Sequence, residues 1–137
     1  MVDANVFVAA IKSPGKKTRT LDLIIELISN QGIHLVGNEL LFLEFEKYAE
    51  KFKSETASHL LKRLRDKMKK VELDDNYIKT CSKYIPKNEI VDIVHAATCL
   101  QEKSIMITND KHFDKISKER VIEVWSTSMA IENLLSS

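Results

Sequence analysis

Short apolar runs alternate along the chain with longer stretches in which apolar residues recur at helical spacing, and this alternation sets the expected elements. Residues 1–4 read as a very short first strand, and residues 5–11 continue apolar into a helix that ends before the Ser13-Pro14-Gly15 turn. In residues 18–31, Leu21, Ile24, Ile25 and Ile28 share one helical face, and Gly32 stands where a left-handed residue would close the helix. Residues 33–36 form a short buried strand. Asn38 caps a helix running to about Phe52, and Ser54 starts another carrying Leu60, Leu61, Leu64 and Met68, so the two are expected to pair as a hairpin. Further helices are expected at 74–84, at 88–102 behind Pro86, at 112–116 and at 126–135, with strands at 105–107 and 121–125. Short apolar strands separated by helices imply a parallel sheet covered on both faces, the α/β class.

With 137 residues and neither a repeat nor a break in composition, a single domain over 1–137 is expected. Hydrophobic residues at 44%, charged ones at 30%, three Gly and two Pro describe a globular, helix-rich chain and exclude a disordered or fibrous one. A membrane span requires roughly 20 apolar residues. The apolar runs here, such as 23–28 and 40–43, stop far short of that length. Asp3 places a charge where a signal peptide would be apolar, so a cytoplasmic, non-secreted protein is expected. Cys81 and Cys99 belong to no metal or disulfide pattern and read as small buried apolar side chains in a reducing compartment. The net charge of +1 means that a nucleic-acid partner would be held by a local patch. Residues 51–70 supply one, with eight basic residues against two acids, a local net of +6. Lys62, Arg63, Arg65 and Lys69 are therefore candidate contacts to a phosphate backbone, although Leu60, Leu61, Leu64 and Met68 on one face read equally well as a core stripe with a solvated basic side.

In parallel sheets chemistry collects beyond the carboxyl ends of strands. Asp3 falls at the end of the first strand, and Asp110 follows the strand at 105–107 through Thr108 and Asn109. Asp92, one turn inside its helix, borders an apolar arc that includes Ala96. Glu44 lies near Leu40, Leu41 and Tyr48, whereas Glu39, Glu46 and Glu50 take the polar arc, so Glu44 is expected to be half-buried. Gathered carboxylates at a core border repel one another and lose hydration, and a divalent cation relieves both penalties. Mg²⁺ and Mn²⁺ take oxygen ligands and suit phosphodiester hydrolysis. Glu89 competes with Asp92 for the third position, but Asp92 is preferred for its apolar border; Asp114 reads as an exposed acid. His95 reads as a packed, hydrogen-bonded histidine in preference to a general base, and His34, His59 and His112 show no ligand spacing.

The blocks Asp3-Ala4-Asn5-Val6-Phe7, Leu40-Leu41-Phe42-Leu43-Glu44, Asp92-Ile93-Val94-His95-Ala96-Ala97 and Thr108-Asn109-Asp110-Lys111-His112-Phe113 resemble, in order, those of PIN-domain nucleases. The resemblance implies a three-layer fold with a short parallel central sheet, one or two Mg²⁺ or Mn²⁺ ions, and cleavage of RNA, as in the VapC-type toxins of toxin-antitoxin pairs. It assigns Asp3, Glu44, Asp92 and Asp110 to the acidic quartet that holds metal, Asn5 to the residue that steadies the first acid, and Thr108 to the hydroxyl before the last. The chain departs from the commoner pattern at Ala4 and Asn38. An antitoxin protein is the partner such a toxin would have. Trp125 and the final helix read as core and edge packing with apolar surface that could serve a dimer, and a homodimer is expected. A haloacid-dehalogenase-like phosphatase also opens on an Asp after its first strand, but it requires a second Asp where Asn5 stands. A PIN-like module that binds RNA or protein without cutting is the non-enzymatic alternative.

Overall fold

The computed structural model describes residues 1–12 and 18–135. Helix α1 (Ala4–Ile11) starts at once, because Asp3 caps it: its carboxylate accepts the Ala4 N–H, and a single parallel bridge from Val2 to Ile107 is all the strand character that precedes it. The expected Ser13-Pro14-Gly15 turn lies outside the described residues. Helix α2 (Arg19–Ser29) is capped by the Thr18 hydroxyl on Leu21 N–H. Gly32 does not close it, since no glycine among the described residues has a positive φ. The Lys67 ammonium lies on the carbonyls of Leu27 and Asn30 instead, so a distant cation satisfies the last turn and its dipole.

Strand β1 (Val36–Gly37) leads through Asn38, which caps helix α3 (Glu39–Phe52). Ser54 caps helix α4 (Glu55–Lys67), and α3 and α4 pack together as the expected hairpin. A strand that the apolar pattern does not show, β2 (Lys69–Lys70), follows; both of its side chains are exposed, and only the backbone pairs, parallel to β1. Helix α5 (Asp75–Cys81) is capped by Asp74, and α6 (Ile90–Glu102) begins after Glu89 rather than at Asn88. Strand β3 (Met106–Ile107), a 3₁₀ turn at Lys111–Phe113, α7 (Asp114–Lys118), β4 (Val124–Trp125) and α8 (Thr127–Leu135) complete the order.

The class is α/β, mostly helical, with all strand pairing parallel; among the described residues the ladders form two pairs, β1 with β2 and β3 with β4, the latter extended by Val2. Parallel backbones need long crossovers, and each crossover here is helical. A continuous apolar core joins Val6, Phe7 and Ile11 of α1 with Leu23, Ile24 and Leu27 of α2 and Leu41 and Phe45 of α3. Phe7 and Phe45 are fully buried with ring centroids 4.9 Å apart. Truncating either ring to Ala costs about 3–5 kcal/mol. The contact fixes α1 and α3, the helices that follow Asp3 and carry Glu44, at one separation. Cys81 and Cys99 are free and buried, as expected, and burial pushes each thiol up to about 11. No helix among the described residues is long and apolar enough to cross a membrane.

Candidate active site

Asp3, Asn38 and Asp110 share one local device: each turns its side chain back onto the N–H groups of the helical turn that follows it. The parallel pairing brings two of these turns together. Asp3 N–H donates to Ile107 C=O at 2.9 Å, which sets Asp3 beside Thr108. The buried Thr108 hydroxyl donates to Asp3 Oδ2 at 2.7 Å and accepts Asp110 N–H at 3.0 Å, tying the first acid to the last. Asn5 does not take this part: it is exposed, and the groups on the Asp3 carboxylate are Ala4 N–H and Thr108, because a residue one step into the helix turns away from its cap.

Asp3 is only 6% exposed. Burial holds its carboxyl above the usual range, opposed by the Thr108 hydrogen bond and the nearby His95. Glu44 is half-buried, as expected, and its Oε1 lies 2.6 Å from His95 Nε2. Asp3, Glu44 and His95 each place a potential ligand atom within 4.8 Å of the others. Asp92, on the first turn of α6, also sits above its usual carboxyl range, chiefly through burial, with Asp110 and Asp3 pushing it further up. Asp3 and Asp110 are thus near enough to Asp92 to repel its charge.

His112 enters unannounced by its spacing. Its Nδ1 lies 2.7 Å from Asp92 Oδ2, 3.4 Å from Asp110 Oδ1 and 3.9 Å from Glu89 Oε2, and the hydrogen bond to Asp92 raises its affinity for a proton. Glu89, Asp92 and His112 form a second set of ligand atoms within 4.8 Å. The one sequence hint was the position of His112 two residues past Asp110, inside the 3₁₀ turn that Asp110 caps.

The carboxylates divide in a consistent way. Glu44 Oε1, Asp92 Oδ2 and Asp110 Oδ1 each meet a protein donor, while the second oxygen of each has no protein hydrogen bond among the described residues. Half-engaged acids with oxygen as the free donor fit a hard divalent cation, although among the described residues the ligand atoms within 4.8 Å of one another fall into two sets, one with Glu44 and one with Asp92. A cleft of about 370 Å³ beside Thr108 and Asp110 is lined by Asp114, Lys118 and Ser126 as well.

The basic segment lies elsewhere. Lys62, Arg63 and Arg65 line a groove of about 1880 Å³ among α2, α3 and α4 that contains none of the four acids. Arg65 pairs with Glu46 at 2.7 Å, Lys69 with Glu102 at 3.0 Å, and Lys70 with Glu39.

The PIN-domain family model matches residues 1–119, a span that holds all four acids, Asn38 and both site histidines. The chain belongs to the PIN-domain family. No curated protein and no solved structure matches it. A PIN domain supports nuclease activity as the class of chemistry, and this one carries acidic groups able to bind a divalent metal. The matched span ends before β4 and α8, so Trp125 and the last helix lie beyond it.

Proposed function

We propose that this PIN domain is a Mg²⁺- or Mn²⁺-dependent endoribonuclease, a single domain over residues 1–137, with Asp3, Glu44, Asp92 and Asp110 as the acids that hold the cation. The observation that carries the reading is the division of the carboxylates, one oxygen fixed by the protein and the other open, in Glu44, Asp92 and Asp110. Bound there, a divalent cation would supply an activated water and charge neutralisation at the scissile phosphate. The chain's own part is positioning. Thr108 holds Asp3 through its hydroxyl and Asp110 through the backbone, so the two acids keep one spacing. Burial of Asp3 raises the cost of leaving its charge uncompensated, which favours any cation beside it. His112, with its side chain 41% exposed, reaches the outer acids from solvent. From there it can meet a phosphate oxygen.

RNA as substrate and a toxin role with an antitoxin partner rest on the family resemblance, a homodimer on the apolar surface at Trp125 and the last helix, and a cytoplasmic location on Asp3 and the cysteine usage. Of the four basic candidates, Lys62 and Arg63 are exposed on the groove and available to a backbone phosphate, whereas Arg65 and Lys69 are ion-paired. Incubation of labelled RNA with the protein and Mn²⁺, with and without a chelator, tests the proposal. Internal cleavage that chelation abolishes is expected; no cleavage by the native chain, or cleavage indifferent to chelation, would overturn it.

A further inference from the structure

Asn38 departs from the usual residue at its position, and its amide does more than cap a helix. Its Oδ1 accepts Leu41 N–H at 2.9 Å, which fixes the orientation of the amide. The Nδ2 group must then face the other way, and it does so toward two acceptors, His95 Nδ1 at 3.1 Å and Thr98 Oγ1 at 2.9 Å. Thr98 already donates its own proton to Val94 C=O at 2.8 Å, so its oxygen is free to accept. An N–H aimed at His95 Nδ1 requires a lone pair there. The ring proton accordingly sits on Nε2 and points at Glu44 Oε1, 2.6 Å away. Asn38, His95 and Thr98 are all buried, so water cannot substitute for the links among them.

We infer that His95 is a positioning residue, a hydrogen-bond donor whose direction is set by Asn38 and which holds one oxygen of Glu44 so that the other is presented to the site. It is thereby neither a metal ligand nor a proton acceptor, although its Nε2 lies within 4.8 Å of ligand atoms of Asp3 and Glu44. The polarity runs one way, from the backbone N–H of Leu41 through the amide and the ring to the carboxylate. A group that orients a ligand in this manner commonly contributes about 10–100-fold to metal affinity or activity. The catalytic consequence rests on the nuclease reading above; the direction of the hydrogen bonds does not.

Two arms separate those dependencies. In the first, the intact chain carrying ¹⁵N-labelled histidine is examined by long-range ¹H–¹⁵N correlation at neutral pH without metal. The expected His95 signature is a protonated Nε2 and a bare Nδ1; a protonated Nδ1 would overturn the inference whether or not the protein cuts RNA. Asn38→Asp retains the cap on Leu41 and replaces the donor amide with an acceptor, so Nδ1 should become protonated in that variant. An unchanged ring would refute control by Asn38. In the second arm, His95→Leu and His95→Gln are compared in RNA cleavage with Mn²⁺ and in Mn²⁺ affinity by calorimetry. Gln can place its amide N–H where Nε2–H stands, so a loss of about 10–100-fold in kcat and in affinity is expected for Leu, with partial recovery in Gln and little change in KM. Equal values for Leu and Gln would contradict the positioning role. Should the Leu variant fail to fold, His95→Phe, which keeps a planar ring and removes the donor, carries the activity arm with the same expected loss, and native activity there would overturn the role.

Discussion

The site has two halves, each pairing acids with one imidazole at nearly the same distance, 2.6 Å for His95 and Glu44 and 2.7 Å for His112 and Asp92. Burial of the imidazole separates them, while their acids run the other way, Glu44 being the more exposed and Asp92 the less. The His95 side chain is 1% exposed and that of His112 is 41% exposed. In the inner half the second ring nitrogen is also engaged, and the hydroxyls of Thr98 and Thr108 meet protein partners. In the outer half one ring nitrogen faces three acids, and the other has no protein hydrogen bond among the described residues. A short contact between charges in solvent contributes little, because water and salt compete for both partners. The same contact inside a filled polar network fixes a geometry, and removing one member leaves the others without partners. Equal distances therefore mark unequal settings, and under the proposed function the inner half is scaffold for the acids and the outer half the adjustable rim.

The largest expected effect falls on the acids that tie the halves together. Asp3→Asn or Asp110→Asn removes a charge beside the proposed cation at constant volume, and cleavage of labelled RNA should fall by about 10³-fold or more. Thermal melting of Asp3→Asn should be unchanged or higher, since burial already disfavours that charge. Next in size is stability in the inner half. Asn38→Ala removes the α3 cap and leaves His95 and Thr98 each short of a donor. The expected loss is about 2 kcal/mol, read in a denaturant titration. Glu89→Gln is the matching change at the rim, where Glu89 only approaches His112. It should shift the same titration by less than about 0.5 kcal/mol. The smallest effect belongs to His112→Ala, for which solvent replaces a screened pair, so cleavage should drop by no more than about fivefold. A larger loss at His112 than at His95 would reverse the assignment of scaffold and rim.

Much of this arrangement was legible because it depends on local rules. Asn38 as a helix cap, and Asp3 and Asp110 as acids just past apolar strands, are readable from the sequence, and the folded chain keeps all three turns; that Asp3 and Asp110 are caps as well appears only in the structure. The half-buried setting of Glu44 followed from helical spacing in the same way. Strand β2 was illegible, since Lys69 and Lys70 enter the ladder only through backbone groups and a two-residue strand has no period. Helix ends misled for a related reason. Glycine is the expected left-handed closure. Yet α3 and α6 end on Lys53 and Lys103 with φ of 39° and 54°, while Gly32 has no positive φ. The link from Asn38 to His95 spans 57 residues and that from Asp92 to His112 spans 20, separations that only tertiary packing closes. Asn5 shows the reverse failure, a residue close in sequence whose helical position turns it away from the group it was expected to steady.

Whether the two halves share one cation is most directly tested by crystals grown or soaked with Mn²⁺ and measured at a wavelength where manganese scatters anomalously. An anomalous peak in contact with Asp3 and with Asp92 or Asp110 is the predicted result. Manganese only at surface acids such as Glu39 or Glu50, or no peak near Asp3, would contradict it.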